Sequence, residues 1–184
     1  MSDIVRLTPP LDDAQIRSLR VGTPVTITGR MIGARDQAHL RMIAALEAGE
    51  RLPFDPAGAV MYYVGPTPSI SGQAVGAAGP TTSTRMDALV EPLFAAGVRA
   101  TVGKGPRSDA AKESMKRHGA VYLAATGGAG ALLGARIEKA EVLAYEDLGP
   151  EALRMFEVRD FPAVVAIDVE GNDLFLSGPE RFRR

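Results

Sequence analysis

The spacing of apolar and polar residues changes several times along this chain, and each change predicts a new element. Residues 21–34, VGTPVTITGRMIGA, set Val25, Ile27 and Gly29 against Thr26, Thr28 and Arg30, the period-two pattern of a strand, with Pro24 at its entry. Residues 35–50 place Leu40, Ile43, Ala44 and Leu46 near helical spacing and reach Gly49 at their end, which predicts a helix with those residues on its apolar stripe. GAVMYYVG (58–65), RATVGKG (99–105) and AVYLAAT (120–126) are apolar runs of strand length. Between them, 82–97 follows a helical period, and 108–119 has Ser108 as a cap and Gly119 as a stop. DDAQIRSLR (12–20) reads as a short helix capped by Asp12 or Asp13, and 66–79 as a loop followed by a short strand or hairpin arm. GGAGALLGARI (127–137) is a glycine-rich turn into a short helix. Residues 139–148 and 152–175 are largely extended, with an apolar strand Ala163–Ile167 before the turn-forming EGND. The sum is a mixed α/β chain, with β–α alternation through the middle and extended segments towards both ends.

Composition narrows the partners. The 184 residues contain no internal repeat, low-complexity tract or evident linker, so residues 1–184 read as a single domain. A formal net charge of −1 gives no reason to expect nucleic acid or an anionic membrane as a partner. No apolar run is long enough to span a bilayer, and MSDIVRLTPPLDD has no hydrophobic signal core, so the expected location is cytoplasmic. With no cysteine, this chain cannot form disulfides, act through a thiol or ligate an iron–sulfur cluster by cysteine. Its two histidines, His39 and His118, exclude a histidine-rich metal site.

Four stretches could carry chemistry. GPTTSTRMD (79–87) crowds Thr81, Thr82, Ser83, Thr84 and Arg85 onto one helix start, where free N–H groups, hydroxyls and a guanidinium would suit a carboxylate or phosphate. The alternative is a capped helix with a solvated arginine. In GARDQAHLR (33–41), Arg35 would sit at a strand end, Asp36 could cap the following helix, and His39 lies one turn on; a surface helix start with a salt bridge is the plainer reading. TVGKGP (101–106) exposes Lys104 between glycines, but lacks phosphate-loop spacing and is equally a tight turn with a solvated lysine. In ATGGAGALLG (125–134), Gly128, Gly130 and Gly134 are one residue too widely spaced for a dinucleotide fingerprint, and the glycines would equally allow close packing. Together, Arg35, Arg85 and Lys104 are three cations at strand-to-helix junctions that can converge at one sheet edge, which predicts an anionic small molecule with more than one carboxylate.

The ordered set ARDQAH (34–39), YYVGPTP (62–68), GPTTSTRMD (79–87), GKGP (103–106), HGAVYLAATGGAGAL (118–132), AYEDLGPEA (144–152) and EVRDFPAVVAIDVEGNDL (157–174) resembles the β subunit, or C-terminal domain, of class I iron–sulfur fumarases and L-tartrate dehydratases. ATGGAGAL and YEDLGPEA are closer to fumarase. The resemblance implies a swivelling β/β/α fold, a mixed sheet with flanking helices that closes over a partner's active site. It implies a cysteine-bearing α subunit that carries a [4Fe–4S] cluster, with no metal held by this chain, and αβ pairs that dimerise. The reaction implied is reversible dehydration of a 2-hydroxy dicarboxylate, (S)-malate to fumarate, with tartrate as the alternative substrate. By the family pattern Arg35, Arg85 and Lys104 would clamp carboxylates, Thr81 would hydrogen-bond the substrate, and Thr82 would be the base. Asp36 and His39 could orient Arg35, with a structural role equally open for His39. A free-standing dicarboxylate-binding domain without catalysis is the second reading.

Overall fold

The computed structural model describes residues 4–69, 72–180 and 182–183. Its strands are β1 (Val5–Leu7), β2 (Pro24–Gly33), β3 (Val60–Tyr62), β4 (Ala100–Gly103), β5 (Val121–Ala124), β6 (Ile137–Ala144) and β7 (Leu153–Ile167). Its α-helices are α1 (Asp13–Ser18), α2 (Asp36–Glu47), α3 (Glu91–Ala96), α4 (Asp109–His118), α5 (Gly130–Gly134) and α6 (Leu174–Glu180), with tighter 3-10 turns at Ser83–Leu89 and Glu146–Glu151.

Strands β1 to β5 run parallel to their neighbours in the order β1-β2-β3-β4-β5. The long strand β7 then pairs antiparallel with β5, with β2 and with β6. The ladder β2–β3–β4–β5–β7 therefore closes on itself, while β1 and β6 are added to its outside. Strand β7 can serve several partners because it bends: Asp160 has φ 47, its N–H donates to Thr28 Oγ1 at 3.0 Å, and the β2–β7 register shifts between Ile27 and Gly29.

Alternation along the strands divides the apolar residues between two cores. Val60 and Tyr62, Ala100 and Val102, and Val121 and Leu123 enter one core with Ile27, Phe161 and Val165, and this core also takes Ile16 of α1 and Leu133 of α5. Met61 and Tyr122 point the other way, into a second core closed by Met42 of α2, Phe94 of α3 and Met115 of α4. The architecture is a mixed sheet with flanking helices, in the α/β class. No described helix is long and apolar enough to cross a membrane.

Four expectations change. The helix expected over 82–97 is two pieces, a 3-10 turn and α3, because Pro92 in the first turn of α3 has no N–H to continue a helix entering from Ser83–Leu89. On α2 the buried residues are Ala38, His39 and Met42, whereas Leu40 is 48% exposed. Apolar residues occupy more than one face of this helix, and the turns at 83–89 and 146–151 decide which face is covered. Among the described residues, 66–79 contains no strand; Thr67 instead closes a loop by exchanging hydrogen bonds with Gly76 and Ala77. Part of that expected hairpin arm, residues 70 and 71, lies outside the described residues, as do residues 1–3 of the N-terminal stretch. Leu174 and Phe175, expected as strand, begin α6.

Candidate functional site at the carboxyl ends of the parallel strands

Strands β2 to β5 are parallel, so Gly33, Tyr62, Gly103 and Ala124 end on one edge of the sheet. The candidate residues follow these ends. Arg35 lies two residues beyond β2, Lys104 directly follows β4, and Gly127 follows β5. The hydroxyl-rich segment is returned to the same edge from a distance: Thr81 N–H donates to the carbonyl of Tyr63, just beyond β3, at 2.7 Å. It then pairs with the lysine turn. Thr82 and Lys104 form a parallel bridge, Lys104 N–H donates to Thr81 O at 3.2 Å, and Ser83 N–H donates to Lys104 O at 2.9 Å.

Asp36 joins the other two cations. Arg85 directs Nε to Asp36 Oδ2 at 3.0 Å and Nη2 to the same oxygen, while Arg35 Nε lies 3.7 Å from Asp36 Oδ1. Burial opposes ionisation of Asp36, but its backbone N–H and the two arginines hold its carboxyl below the usual range. Arg35 also reaches Glu151 Oε1 with Nη2 at 3.2 Å. Arg35, Asp36, Thr81, Thr82, Arg85 and Lys104 therefore share one edge of the molecule. Their accessibility differs. Lys104 is exposed and has no side-chain partner among the described residues. Thr82 is exposed, Thr81 is half-buried, and the Arg85 side chain is 50% exposed.

Two local details differ from expectation. Arg35, not Asp36, occupies the cap position of α2, and it makes no side-chain cap bond; the Asp36 carboxylate is turned to Arg85. The hydroxyl-rich start opens a 3-10 turn, with Thr82 at its cap and no side-chain cap bond. His39 touches Arg35 only through the main chain, with Nδ1 2.8 Å from Arg35 O, so its neutral ring donates from that nitrogen. The ring is buried and packs edge-on against Tyr63 at 5.4 Å. Burial, with the positive charge of Arg107 adding to it, lowers its pKa to about 4.

Behind the exposed rim lies a buried polar group that the sequence did not single out. The Arg107 side chain is 0% exposed. Its Nε donates to Asp87 Oδ1 and its Nη1 to Thr101 Oγ1 at 3.1 Å, while the guanidinium lies over the rings of Tyr122 and Tyr63 at 5.0 and 5.5 Å. Asp87 Oδ2 accepts from Ser108 N–H at 2.6 Å. Burial pushes the Tyr122 hydroxyl up to about 12, so it stays protonated and donates to Gly105 O at 2.9 Å. Ser83 Oγ, 2.9 Å away, therefore donates to Tyr122. Gly103 makes room for this contact, since a Cβ there would lie 2.0 Å from Ser83 Oγ. Arg107 sits in a polar turn, GPRSD, and nothing local marks it as buried. The glycine-rich stretch also serves packing: Ala78 N–H donates to Gly130 O at 2.8 Å, and a Cβ on Gly134 would lie 2.1 Å from Gly76 O.

The edge thus carries Arg35 after β2, Lys104 after β4 and Arg85 in the 3-10 turn that is pinned beside the lysine. The family model described as "Fumarase C-terminus" matches residues 2–178. The chain belongs to the fumarase C-terminus family. It is 39% identical over 176 residues to "Fumarate hydratase 2" of Leishmania major, a match that covers 93% of this chain and 31% of that protein. It is 38% identical over 164 residues to "Fumarate hydratase class I, aerobic" of Escherichia coli K12, covering 88% of this chain and 30% of that protein. The chain thus spans about a third of the length of these relatives. A third relative, "Putative L(+)-tartrate dehydratase subunit beta" of Methanocaldococcus jannaschii, is 36% identical over 171 residues, with 90% of this chain and 88% of that protein covered. This fumarase C-terminus chain does not itself suit an iron–sulfur cluster. It has no cysteine, and among the described residues no group of His, Asp and Glu could hold a metal ion.

Proposed function

We propose that this chain is the substrate-gripping β subunit of a two-chain hydro-lyase that reversibly dehydrates a 2-hydroxy dicarboxylate, with (S)-malate and fumarate as the pair. The observation that carries the reading is the single edge on which Arg35, Thr81, Thr82, Arg85 and Lys104 meet, joined by Asp36 and the Thr82–Lys104 bridge. A diacid needs cations at two separated points, and Arg85 and Lys104 are exposed there with donor capacity to spare. A companion α subunit bearing cysteines would hold a [4Fe–4S] cluster, which would supply Lewis-acid chemistry at the substrate hydroxyl. Two such αβ pairs would dimerise. The relatives three times as long, and the relative named a β subunit, support a companion chain.

Within this chain, Arg85, Lys104 and Arg35 hold the carboxylates, and Thr81 donates to a substrate oxygen. Thr82 takes the C3 proton. A threonine hydroxyl is a weak base at neutral pH, so its alkoxide needs the cations around it: Arg85 three residues on in the chain and Lys104 across the bridge. The same cations stabilise the carboxylate-conjugated anion that forms as the proton leaves.

Assay of fumarate hydration by the anaerobically co-expressed complex tests the reading. Arg85→Ala lowers kcat/KM by about 100-fold or more, with an unchanged unfolding profile because the side chain is half exposed. Wild-type turnover by that variant would remove Arg85 from the site. Tartrate in place of malate is the alternative reading, favoured by the near full-length match to a protein named a tartrate dehydratase subunit. Tight dicarboxylate binding by this chain without any companion would instead support a non-catalytic anion-binding domain.

A further inference from the structure

The proposed clamp has an internal competitor, and the inference rests on the site reading above. Arg85 and Arg35 both have carboxylate partners within the chain, but Arg35 is the more enclosed, with a carboxylate on two sides and a side chain 22% exposed against 50% for Arg85. Arg35 Nη2 is held by Glu151 Oε1 at 3.2 Å, its Nε faces Asp36 Oδ1 at 3.7 Å, and its Cδ and Nη1 lie 3.2 Å from the position a Cβ on Gly65 would take. Its side chain and that of Glu151 are 22% and 25% exposed. Arg85 is half exposed, and Lys104 is exposed without a side-chain partner among the described residues.

Glu151 is delivered by a segment with few polar ties. Residues 145–151 pass over α2 with Tyr145 and Leu148 packed, half-buried, on the second core, and their polar ties are an exposed Arg41–Asp147 pair, Arg154 Nη2 donating to Gly149 O at 3.0 Å, and Arg35 itself. The segment starts at Tyr145, a non-glycine residue in the left-handed region at φ 62 and ψ 42, and Gly149 breaks its helical path at φ 56 and ψ −117. Glu151 Oε2 is buried with no hydrogen-bond partner, so this carboxylate is only half satisfied where it sits. A carboxylate that uses one oxygen on an arginine is an incomplete version of the two-oxygen grip a substrate carboxylate would make.

We infer that Glu151 sets the strength of dicarboxylate binding by occupying Arg35 in the absence of substrate, and that a substrate carboxylate binds there by displacing it. The residue does not touch the reacting atoms; it acts through Arg35. It lowers affinity, so its removal is a gain of binding, which loss of a merely structural contact would not produce.

Glu151→Gln in the full complex with the companion chain is the test. Two readouts are taken together: the KM for the diacid, and the rate at which Arg35 is modified by an arginine-selective dicarbonyl, mapped by mass spectrometry. The expected result is a KM lowered several-fold with kcat near wild type, and Arg35 modified faster than in the wild type. Glu146→Gln, a change at an exposed position of the same segment that takes no part in its ion pairs, is the control and leaves both readouts as in the wild type. Arg35 modified no faster in the variant, or an unchanged or raised KM with a normal unfolding profile, overturns the inference. If the wild-type complex turns over no diacid, the functional reading fails, and the dicarbonyl rate still decides whether Glu151 shields Arg35.

Discussion

On one side of the candidate site, residues 81–89 and 103–108 are fastened to the sheet by groups that water does not reach. On the other, residues 145–151 rest only the half-buried Tyr145 and Leu148 on the second core, and their polar ties to α2 are ion pairs that water does reach. The first side uses the Arg107–Asp87 pair and the Ser83–Tyr122–Gly105 chain of hydrogen bonds, which back the Thr82–Lys104 bridge at the exposed rim. The second uses Arg41–Asp147, both exposed, and Arg35–Glu151, half-buried. Buried polar contacts are costly to break because the partner left behind stays unsolvated, while exposed ones exchange with water at little cost. The molecule therefore presents Thr82, Arg85 and Lys104 on a preformed mount, and Arg35 beside a segment that can give way.

The buried side is disrupted most by loss of Arg107. Arg107→Ala leaves Asp87 buried without its cation and lowers the unfolding free energy by about 3–5 kcal/mol, read from the denaturant midpoint. The paired change Arg107→Met with Asp87→Leu removes both charges and recovers much of that loss. If it also restores diacid turnover, the buried pair is not needed to place Thr82 and Lys104.

A smaller effect lies in His39, buried on α2 between the two sides. The folded protein holds this ring neutral, with a pKa lowered from 6.5 to about 4, whereas the unfolded chain protonates it near its ordinary value. Below about pH 6.5 the unfolded state thus binds the extra proton, and stability falls as the pH drops towards 4. The contribution lost over that window is roughly 3 kcal/mol. Urea unfolding at pH 7 and pH 5 measures it: His39→Gln, which keeps a donor for the Arg35 carbonyl, has a shallower decline than wild type. An equal decline in both would mean that the ring is solvated or paired.

The smallest effect is expected on the loose side. Arg41→Ala leaves the unfolding midpoint unchanged, since its pair with Asp147 is exposed, but speeds amide hydrogen exchange within 145–151. Unchanged exchange there would mean that the segment is held by something other than its ion pairs.

Much of the fold was legible in the sequence. Strands β2 to β5 and helix α4 were recognisable because period, caps and turn glycines act over a few residues, and Ser108 and Gly119 do cap α4. The placement of Arg35 and Lys104 beyond strand ends followed from the same local pattern. Errors came where a pattern had two solutions. Leu40 and Met42 both lie on helical spacing, and only packing selected Met42 for burial. The segment 82–97 had the right apolar period for a helix, but Pro92 divided it.

By itself, the sequence determined the alternation of elements, the absence of any cysteine to hold a cluster, and the supply of cations and hydroxyls at strand ends. Those are properties of composition and of neighbours in the chain. Only the tertiary structure decided which charges are spent and which remain available. Arg85 meets Asp36 across 49 positions, Arg35 meets Glu151 from the turn that precedes β7, and Arg107 is withdrawn beneath two tyrosines. A charge's worth depends on its burial and its partners, and both are set by contacts that no local spacing encodes.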